Sequence, residues 1–130
     1  MTPRVTGLGG VFFKAKDKQQ MIAWYRDRLG LDVQGWGGTV FEWRHANAPD
    51  QKGATAWSIF DAKSKKFDPS ASPFMFNYIV DDLDALLAKL KAEGVEVDPK
   101  VEDSEYGRFA WIMDPEGNRI ELWQPPVEKP

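Results

Sequence analysis

The alternation of apolar and polar residues is clearest from Glu105 to Gln124. Two apolar runs flank Asp114–Gly117, where Asp starts a turn, Pro fixes φ at the next position and Gly closes it. Arg119 and Glu121 alternate with apolar residues in the second run, so the pattern predicts a β-hairpin. One strand of this hairpin places the Glu121 carboxylate among aromatic side chains, where it could be a metal ligand, a proton acceptor or half of an ion pair.

Two other segments have the spacing of amphipathic helices. DDLDALLAKLKAEG has leucines at i, i+3, i+4 and i+7 from Leu83, with an Asp at its start and Gly94 at its end. DKQQMIAWYRDRLG starts at Asp17, a suitable N-cap, and ends at Gly30, a suitable C-terminal cap. We expect Trp24 of this second helix to pack in the core.

The remaining apolar runs predict strands on both sides of each helix. Outside the hairpin these strands are Val5–Ala15, Leu31–Trp36, Thr39–Arg44, Ala54–Phe60, Phe74–Val80 and Val95–Val101. The order β-α-β-β-β therefore occurs twice, and two pairs of glycines (Gly30 with Gly94, Gly53 with Gly117) are each 64 residues apart.

This repeat predicts an α+β fold of two tandem βαβββ modules, at about residues 5–60 and 73–124, within one domain of residues 1–124. Each module alone would leave one face of its sheet uncovered, so we expect a curved mixed sheet around a cleft. The alternative is a plain α+β sandwich without a functional cleft. Residues 61–72 are expected to be a solvated connector and residues 125–130 a solvated tail.

Composition narrows the class of protein. The 130 residues are 42% hydrophobic and 28% charged, which is typical of a globular protein. A net charge of −3 without a basic cluster argues against nucleic acid and anionic membrane as partners. The chain has no cysteine, so disulfides and thiolate metal sites are excluded. The amino terminus does not resemble a signal peptide and no apolar run is long enough to span a bilayer, so we expect a cytoplasmic protein.

Four segments resemble the vicinal oxygen chelate superfamily, the group of glyoxalases, bleomycin-resistance proteins and extradiol dioxygenases. They are TGLGGVFFKAKD, WYRDRLGL, NYIVDDLDALLAKLKAEGV and, most specifically, GRFAWIMDPEGNRIELW. The similarity extends over roughly residues 5–124. It implies the glyoxalase-like fold of paired βαβββ modules, a ligand cleft and frequent homodimers. Many members of this superfamily also hold a divalent metal through His, Gln or Glu side chains that face the cleft.

The resemblance places the metal ligands of the family at four positions of this chain. Gly10 and Met75 each lie seven residues before the Asp that starts a helix, Glu121 ends the DPxGNxxE motif, and Trp57 lies 64 residues before Glu121. Of these four, only Glu121 can bind a hard or borderline metal, because the other three side chains offer no suitable N or O donor. Such metal sites need three or four of these donors. The single histidine, His45, is expected in a solvated loop. We therefore expect no metal of the family type and no cofactor.

Strand alternation predicts which side chains share the cleft with Glu121. The candidate ligand-binding residues are Phe12, Lys14, Trp57, Met75, Asn77, Phe109, Trp111, Glu121 and Trp123. The leading hypothesis is metal-independent binding of a flat or amphipathic organic molecule on these aromatic side chains. Glu121 would accept a hydrogen bond or attract a cationic group, much as bleomycin-resistance members sequester drugs. Two alternatives stay open: the aromatics fill the cleft, or Glu121 forms an ion pair with Arg108 or Arg119.

A second hypothesis is an enzyme that resembles a lyase, isomerase or dioxygenase. Burial among aromatics would raise the pKa of Glu121 and make it a usable general base, with Lys14 or Asn77 stabilising an enolate oxygen. Glu121 could instead be a residual metal ligand. No Ser-His-Asp set, phosphate loop or nucleophile elbow is present. A third hypothesis is a protein-interaction module that uses the aromatic face. The expected partners are a small molecule and a second copy of this chain.

Overall fold

The computed structural model describes residues 2–126. Its elements follow the order β1 (Val5–Ala15), α1 (Lys18–Leu29), β2 (Gly38–His45), β3 (Ala48–Asp61), β4 (Phe74–Val80), α2 (Leu83–Ala92), β5 (Val97–Ser104), β6 (Gly107–Met113) and β7 (Arg119–Gln124). Strand β3 begins six residues before the predicted Ala54, because the polar segment that follows β2 continues the hairpin instead of forming a loop. Among the described residues, neither helix has the length and apolar character needed to cross a membrane.

All seven strands of the described residues belong to one sheet, in the order β2-β3-β1-β4-β7-β6-β5. The two halves of the chain meet where β1 pairs antiparallel with β4. Within each half the first strand pairs in parallel with the last one, β1 with β3 and β4 with β7. The predicted α+β fold with a mixed sheet is confirmed, and its central strands come from both halves of the chain.

The predicted strand at Leu31–Trp36 is wrong, so the first module is βαββ and β2 is the edge strand of the sheet. The backbone donors of this segment are used locally. Leu31 N donates to the Tyr25 carbonyl at the end of α1, at 3.3 Å, and Val33 N donates to the Leu31 carbonyl, at 3.0 Å. Because a strand needs these groups for a neighbouring strand, the short apolar run cannot form one here.

Helix α2 forms as its leucine spacing predicts. The Asp82 side chain accepts a hydrogen bond from Ala85 N at 3.1 Å, which caps the first turn, and Gly94 adopts a positive φ of 83° after the last turn. Three leucines of the helix are buried, and they pack with Val80, Ala110 and Leu122 of the sheet. This cluster is the larger hydrophobic core of the molecule.

Helix α1 has the expected caps but not the expected core role. Asp17 accepts a hydrogen bond from Gln20 N at 3.0 Å, and Gly30 has a φ of 69°. No residue of α1 is buried, and Trp24 is 50% exposed, so the prediction that Trp24 packs in the core is wrong. Only Tyr25 reaches the sheet with its ring, against Phe13 and Trp57. Trp24 lies on the outer side of Tyr25, where the helix faces solvent.

The connector at residues 61–72 is anchored to the sheet and is not a simple solvated loop. Phe67 is fully buried and packs in a second cluster with Met75 and Trp111. Phe60 contacts it from β3, with the two ring centroids 5.1 Å apart. The connector therefore belongs to the core of the molecule at this point. Of the predicted tail at 125–130, residues 127–130 lie outside the described part of the chain.

Candidate functional site

Glu121 lies near the middle of the sheet, on the face opposite the helices. In the strand register it is level with Asn77 of β4 on one side and Trp111 of β6 on the other. Residues that are level on neighbouring strands point to the same face. Each carboxylate oxygen consequently accepts one hydrogen bond: Oε1 from Asn77 Nδ2 at 2.6 Å and Oε2 from Trp111 Nε1 at 3.0 Å.

Desolvation controls the charge state of this carboxyl group. Burial raises the pKa of Glu121, and the hydrogen bonds from Asn77 and Trp111 lower it by a smaller amount. The net direction is upward, so Glu121 holds its proton to a higher pH than an exposed glutamate does. This agrees with the expectation that aromatic surroundings would raise its pKa.

Glu121 does not form the ion pair that the sequence left open. Arg108 instead binds two aspartates on the outer surface, each at 2.6 Å. Arg119 binds Asp98 at 3.3 Å, and its guanidinium lies 5.4 Å from the ring centroid of Trp111. Within residues 2–126, no Lys, Arg or His side chain lies within salt-bridge distance of the Glu121 carboxylate.

A cavity of about 380 Å³ opens above Glu121. It is lined by Phe12, Phe60, Lys65, Lys66, Met75, Lys100, Glu102, Trp111, Arg119 and Glu121. The rings of Phe12 and Phe60 meet along one wall, with centroids 5.7 Å apart. The alternative in which aromatic side chains fill the cleft is therefore wrong for this part of the sheet.

The structure brings together most of the residues that the sequence nominated. Phe12, Met75, Trp111 and Glu121 line the cavity, and Asn77 is buried beside Glu121. Lys14 lies next to this group, with its Nζ 5.2 Å from the ring centroid of Phe67.

Phe109 and Trp123 share the face of Glu121 but lie outside its cavity. They are level with each other on β6 and β7, and their rings stack at 6.0 Å. Trp123 Nε1 donates to the Tyr106 carbonyl at 2.7 Å. These interactions give the pair a structural role farther along the two strands.

The prediction that Trp57 faces the cleft is wrong. Trp57 is level with Val11 on the helix side of the sheet, where its ring contacts Phe13 at 5.3 Å and Tyr25 at 4.9 Å. The residue that corresponds to Glu121 in the first half is the buried Ser58. Ser58 of β3 is level with Phe12 of β1, in the same way that Glu121 of β7 is level with Asn77 of β4.

The sequence did not nominate several residues of the cavity, and four of them are charged. These are Phe60, Lys65, Lys66, Lys100 and Glu102, besides Arg119, which the sequence suggests as an ion-pair partner of Glu121. The two adjacent lysines belong to the connector, whose polar composition indicated a solvated loop. The only signal in the connector that contradicts this interpretation is Phe67, an aromatic residue within a polar run.

The residues around Glu121 do not fit the divalent metal that the family resemblance implies. Within residues 2–126, no three His, Cys, Asp or Glu side chains come together. Both oxygens of Glu121 already accept N–H hydrogen bonds, and Gly10 and Met75 offer no N or O donor in their side chains. Ser58 would add only a hydroxyl, which is a poor substitute for the imidazole or carboxylate donors of such sites.

Comparison with known proteins gives one family. The model of the Glyoxalase/Bleomycin resistance protein/Dioxygenase superfamily matches residues 8–122. No curated protein matches the chain by sequence.

Several solved structures have a similar fold. A substituted methylmalonyl-CoA epimerase from Streptomyces coelicolor in complex with 2-nitronate-propionyl-CoA has a TM-score of 0.68 at 17% identity, covering 98% of this chain and 100% of that one. The epimerase from Mycobacterium tuberculosis has a TM-score of 0.57 at 22% identity, covering 95% and 90%. A superfamily member from Vibrio splendidus has a TM-score of 0.55 at 16% identity, covering 95% and 99%. At such identities the similarity shows the fold alone.

Proposed function

The chain belongs to the Glyoxalase/Bleomycin resistance protein/Dioxygenase superfamily, as its motifs predicted, and on this premise we propose that its cleft binds a small organic molecule without a resident metal. The observation that carries the proposal is the cavity of about 380 Å³ above Glu121. Sites for small molecules typically have volumes of roughly 300–1,000 Å³ and combine apolar walls with a few fixed polar groups.

The lining of the cavity has this combination. Phe12, Met75 and Trp111 supply apolar surface against which a planar or hydrocarbon group can pack. Glu121 is held in one orientation by its two hydrogen bonds, so it presents a fixed polar group between these side chains. A ligand would therefore exchange water for aromatic contacts and align one polar atom with Glu121.

Fluorescence of N-phenylnaphthylamine, a neutral dye that brightens in apolar sites, tests this proposal. We expect saturable binding of one dye per chain. Phe12→Ala removes an aromatic wall and should weaken binding by about tenfold, which is the order of magnitude of one aromatic contact. Trp24→Ala is the matched control, because it removes an exposed ring on α1 and should leave binding unchanged. Equal losses in the two variants, or no saturable binding at all, would contradict the proposal.

Metal analysis tests the other part of the proposal. Protein purified without chelator should contain well under one equivalent of nickel, zinc, manganese or iron, and dye affinity should not change after treatment with a chelator. A stoichiometric metal that is lost in Glu121→Gln would show that Glu121 is a residual ligand and would overturn the proposal.

A second candidate function is proton transfer by Glu121, and it is favoured by the raised pKa of this buried group. The carboxylate would remove a proton from a carbon next to a carbonyl and return it, with a nearby cation such as Lys100 stabilising the enolate oxygen. Mass spectrometry of candidate carbonyl compounds incubated with the protein in deuterium oxide tests this. Deuterium incorporation should disappear in Glu121→Gln while dye binding persists.

We also infer from family membership that the protein forms a homodimer. Sedimentation velocity over a range of protein concentrations tests this inference. A single species with the mass of one chain at every concentration would contradict it.

A further inference from the structure

The cavity above Glu121 has the opposite charge to the protein as a whole. Four cationic side chains line it, from Lys65, Lys66, Lys100 and Arg119, against the two carboxylates of Glu102 and Glu121. The chain has a net charge of −3. An excess of cations at one concave site of an acidic protein produces a local positive potential, which attracts anions.

Two of the four cations have carboxylate partners. Arg119 pairs with Asp98 at 3.3 Å, and Lys100 Nζ lies 2.8 Å from an oxygen of Glu102. In the described part of the chain, neither Lys65 nor Lys66 has a carboxylate within salt-bridge distance. Lys66 acts on Glu102 only from beyond this distance. The excess positive charge at the cavity therefore lies on these two adjacent lysines.

The backbone of this lysine pair is held in place. Phe67, the next residue, is fully buried against Met75 and Trp111. Lys66 N donates to Ser64 Oγ at 3.2 Å, and Asp68 N donates to the Lys65 carbonyl at 3.1 Å. The two ammonium groups are exposed, but they project from a fixed segment at the rim of the cavity.

We propose that the ligand of this cleft carries an oxyanion, a carboxylate or a phosphate, which Lys65 and Lys66 bind at the rim while its apolar part packs between Phe12 and Trp111. This inference rests on the function proposed above and adds the chemical class of the ligand. It also departs from the expectation that Glu121 attracts a cationic guest, because the cations that line the cavity outnumber the carboxylates. Burial raises the pKa of Glu121, which favours its neutral form and reduces repulsion of an anion.

Competition with bound N-phenylnaphthylamine tests the inference with four compounds that share one ring system. These are naphthoate, naphthyl phosphate, naphthalenemethanol and naphthylmethylamine. We expect the two anions to compete more strongly than the neutral alcohol and the cationic amine to compete least. The order of the two anions identifies which oxyanion the site prefers. The difference in affinity between the anions and the alcohol should decrease at high salt, because the lysines are exposed to solvent and salt screens their charge.

Substitutions in the connector test whether Lys65 and Lys66 cause the preference for anions. Lys65→Met with Lys66→Met should weaken naphthoate binding by about tenfold, the combined effect expected of two exposed ion pairs, and should leave the dye and the neutral alcohol unchanged. Lys63→Met is the matched control, since it removes a lysine of the same connector that does not line the cavity. Naphthoate binding equal to that of the alcohol, or an equal loss in Lys63→Met, would overturn the inference. Failure of the dye itself to bind would instead show that the proposed function is wrong.

Discussion

Glu121 shows how three neighbouring strands determine the state of one carboxyl group. Asn77 Nδ2 and Trp111 Nε1 each donate to one of its oxygens, yet burial still raises its pKa. On the far side of the same amide, the buried Asn77 Oδ1 has no hydrogen-bond partner among the described residues. A side chain at position 121 that could donate to this oxygen would therefore gain a hydrogen bond that the carboxylate cannot make.

The first prediction concerns Glu121→Gln and the pH dependence of stability. A carboxyl group whose pKa is raised by folding contributes stability that is fully present below its unfolded pKa, near 4.5, and is lost as the pH rises through the folded value. The glutamine has no such loss and can donate to Asn77 Oδ1 after that amide rotates. We therefore expect the variant to gain stability relative to the natural protein between about pH 4 and about pH 8. Urea denaturation at both pH values measures this.

Glu102→Gln provides a control with the opposite sign. A hydrogen bond from Lys100 lowers the pKa of Glu102, so its contribution to stability is present above its unfolded pKa and is lost as the pH falls. The glutamine variant should therefore lose stability relative to the natural protein as the pH rises. The same pH trend in both variants would show that burial does not raise the pKa of Glu121.

The second prediction concerns the backbone beneath Asn77. A Cβ atom on Gly9 would overlap Asn77 Oδ1 and lie 2.9 Å from the ring of Trp123, so alanine there must displace one of them. We expect Gly9→Ala to lower the free energy of unfolding by about 1–3 kcal/mol, as overpacking does. Gly35→Ala is the control: a Cβ there meets no atom within 4 Å, so its effect should be within about 0.5 kcal/mol. Equal effects in urea denaturation would contradict the prediction.

At the scale of elements, the connector is the segment whose structure differs most from what its composition predicts. Its charged residues face solvent, while Phe67 fills the space between Met75 and Trp111 and lies against Phe60. This buried ring anchors the connector to the sheet next to Lys65 and Lys66, which line the cavity.

The third prediction follows from this anchor. Phe67→Ala should lower the free energy of unfolding by about 3–5 kcal/mol, because it leaves a cavity next to Trp111. It should also increase the rate at which trypsin cleaves the native protein within residues 61–66. Phe41→Ala, at a ring that is 47% exposed on β2, should change stability much less and leave the cleavage rate unaltered. Unchanged proteolysis in Phe67→Ala would show that this ring does not hold the connector.

At the scale of the whole molecule, the continuous sheet joins the two modules into one unit. Central strands β1 and β4 pair from Val5–Val80 to Phe13–Phe74, so neither module can unfold without exposing the hydrogen-bonding edge of the other. The main hydrophobic cluster and the cavity both lie on strands of this shared sheet. We therefore expect the two modules to unfold together.

The fourth prediction is a single unfolding transition. Trp111→Phe combined with Trp123→Phe leaves tryptophans only in the first module, so fluorescence then reports on that module alone. In this variant the fluorescence midpoint in urea should coincide with the midpoint of far-ultraviolet circular dichroism, which includes α2 of the second module. Two separated midpoints would show that the modules are independent folding units.

The local patterns of the sequence determined the elements and the chemistry of single residues. Leucine spacing predicted α2, the Asp-Pro-Glu-Gly turn predicted the hairpin that holds Glu121, and the repeat predicted two related modules. The helix and the hairpin depend on neighbours within about one helical turn or one pair of adjacent strands, and the repeat is read by comparing such local patterns. The same locality explains the error at Leu31–Trp36, since a short apolar run does not reveal whether a partner strand exists.

Only the tertiary structure decided which residues meet. A repeat of 64 residues, counted from glycines, pointed to Trp57 as the counterpart of Glu121, but strand pairing makes it Ser58. Side chains alternate between the two faces of a strand, so this difference of one residue moves the position from the cleft to the helix side. The sequence also did not predict that the connector lysines line the cavity, because their position depends on the burial of Phe67. Register and long-range burial are properties of the assembled sheet, and no single segment of the chain encodes them.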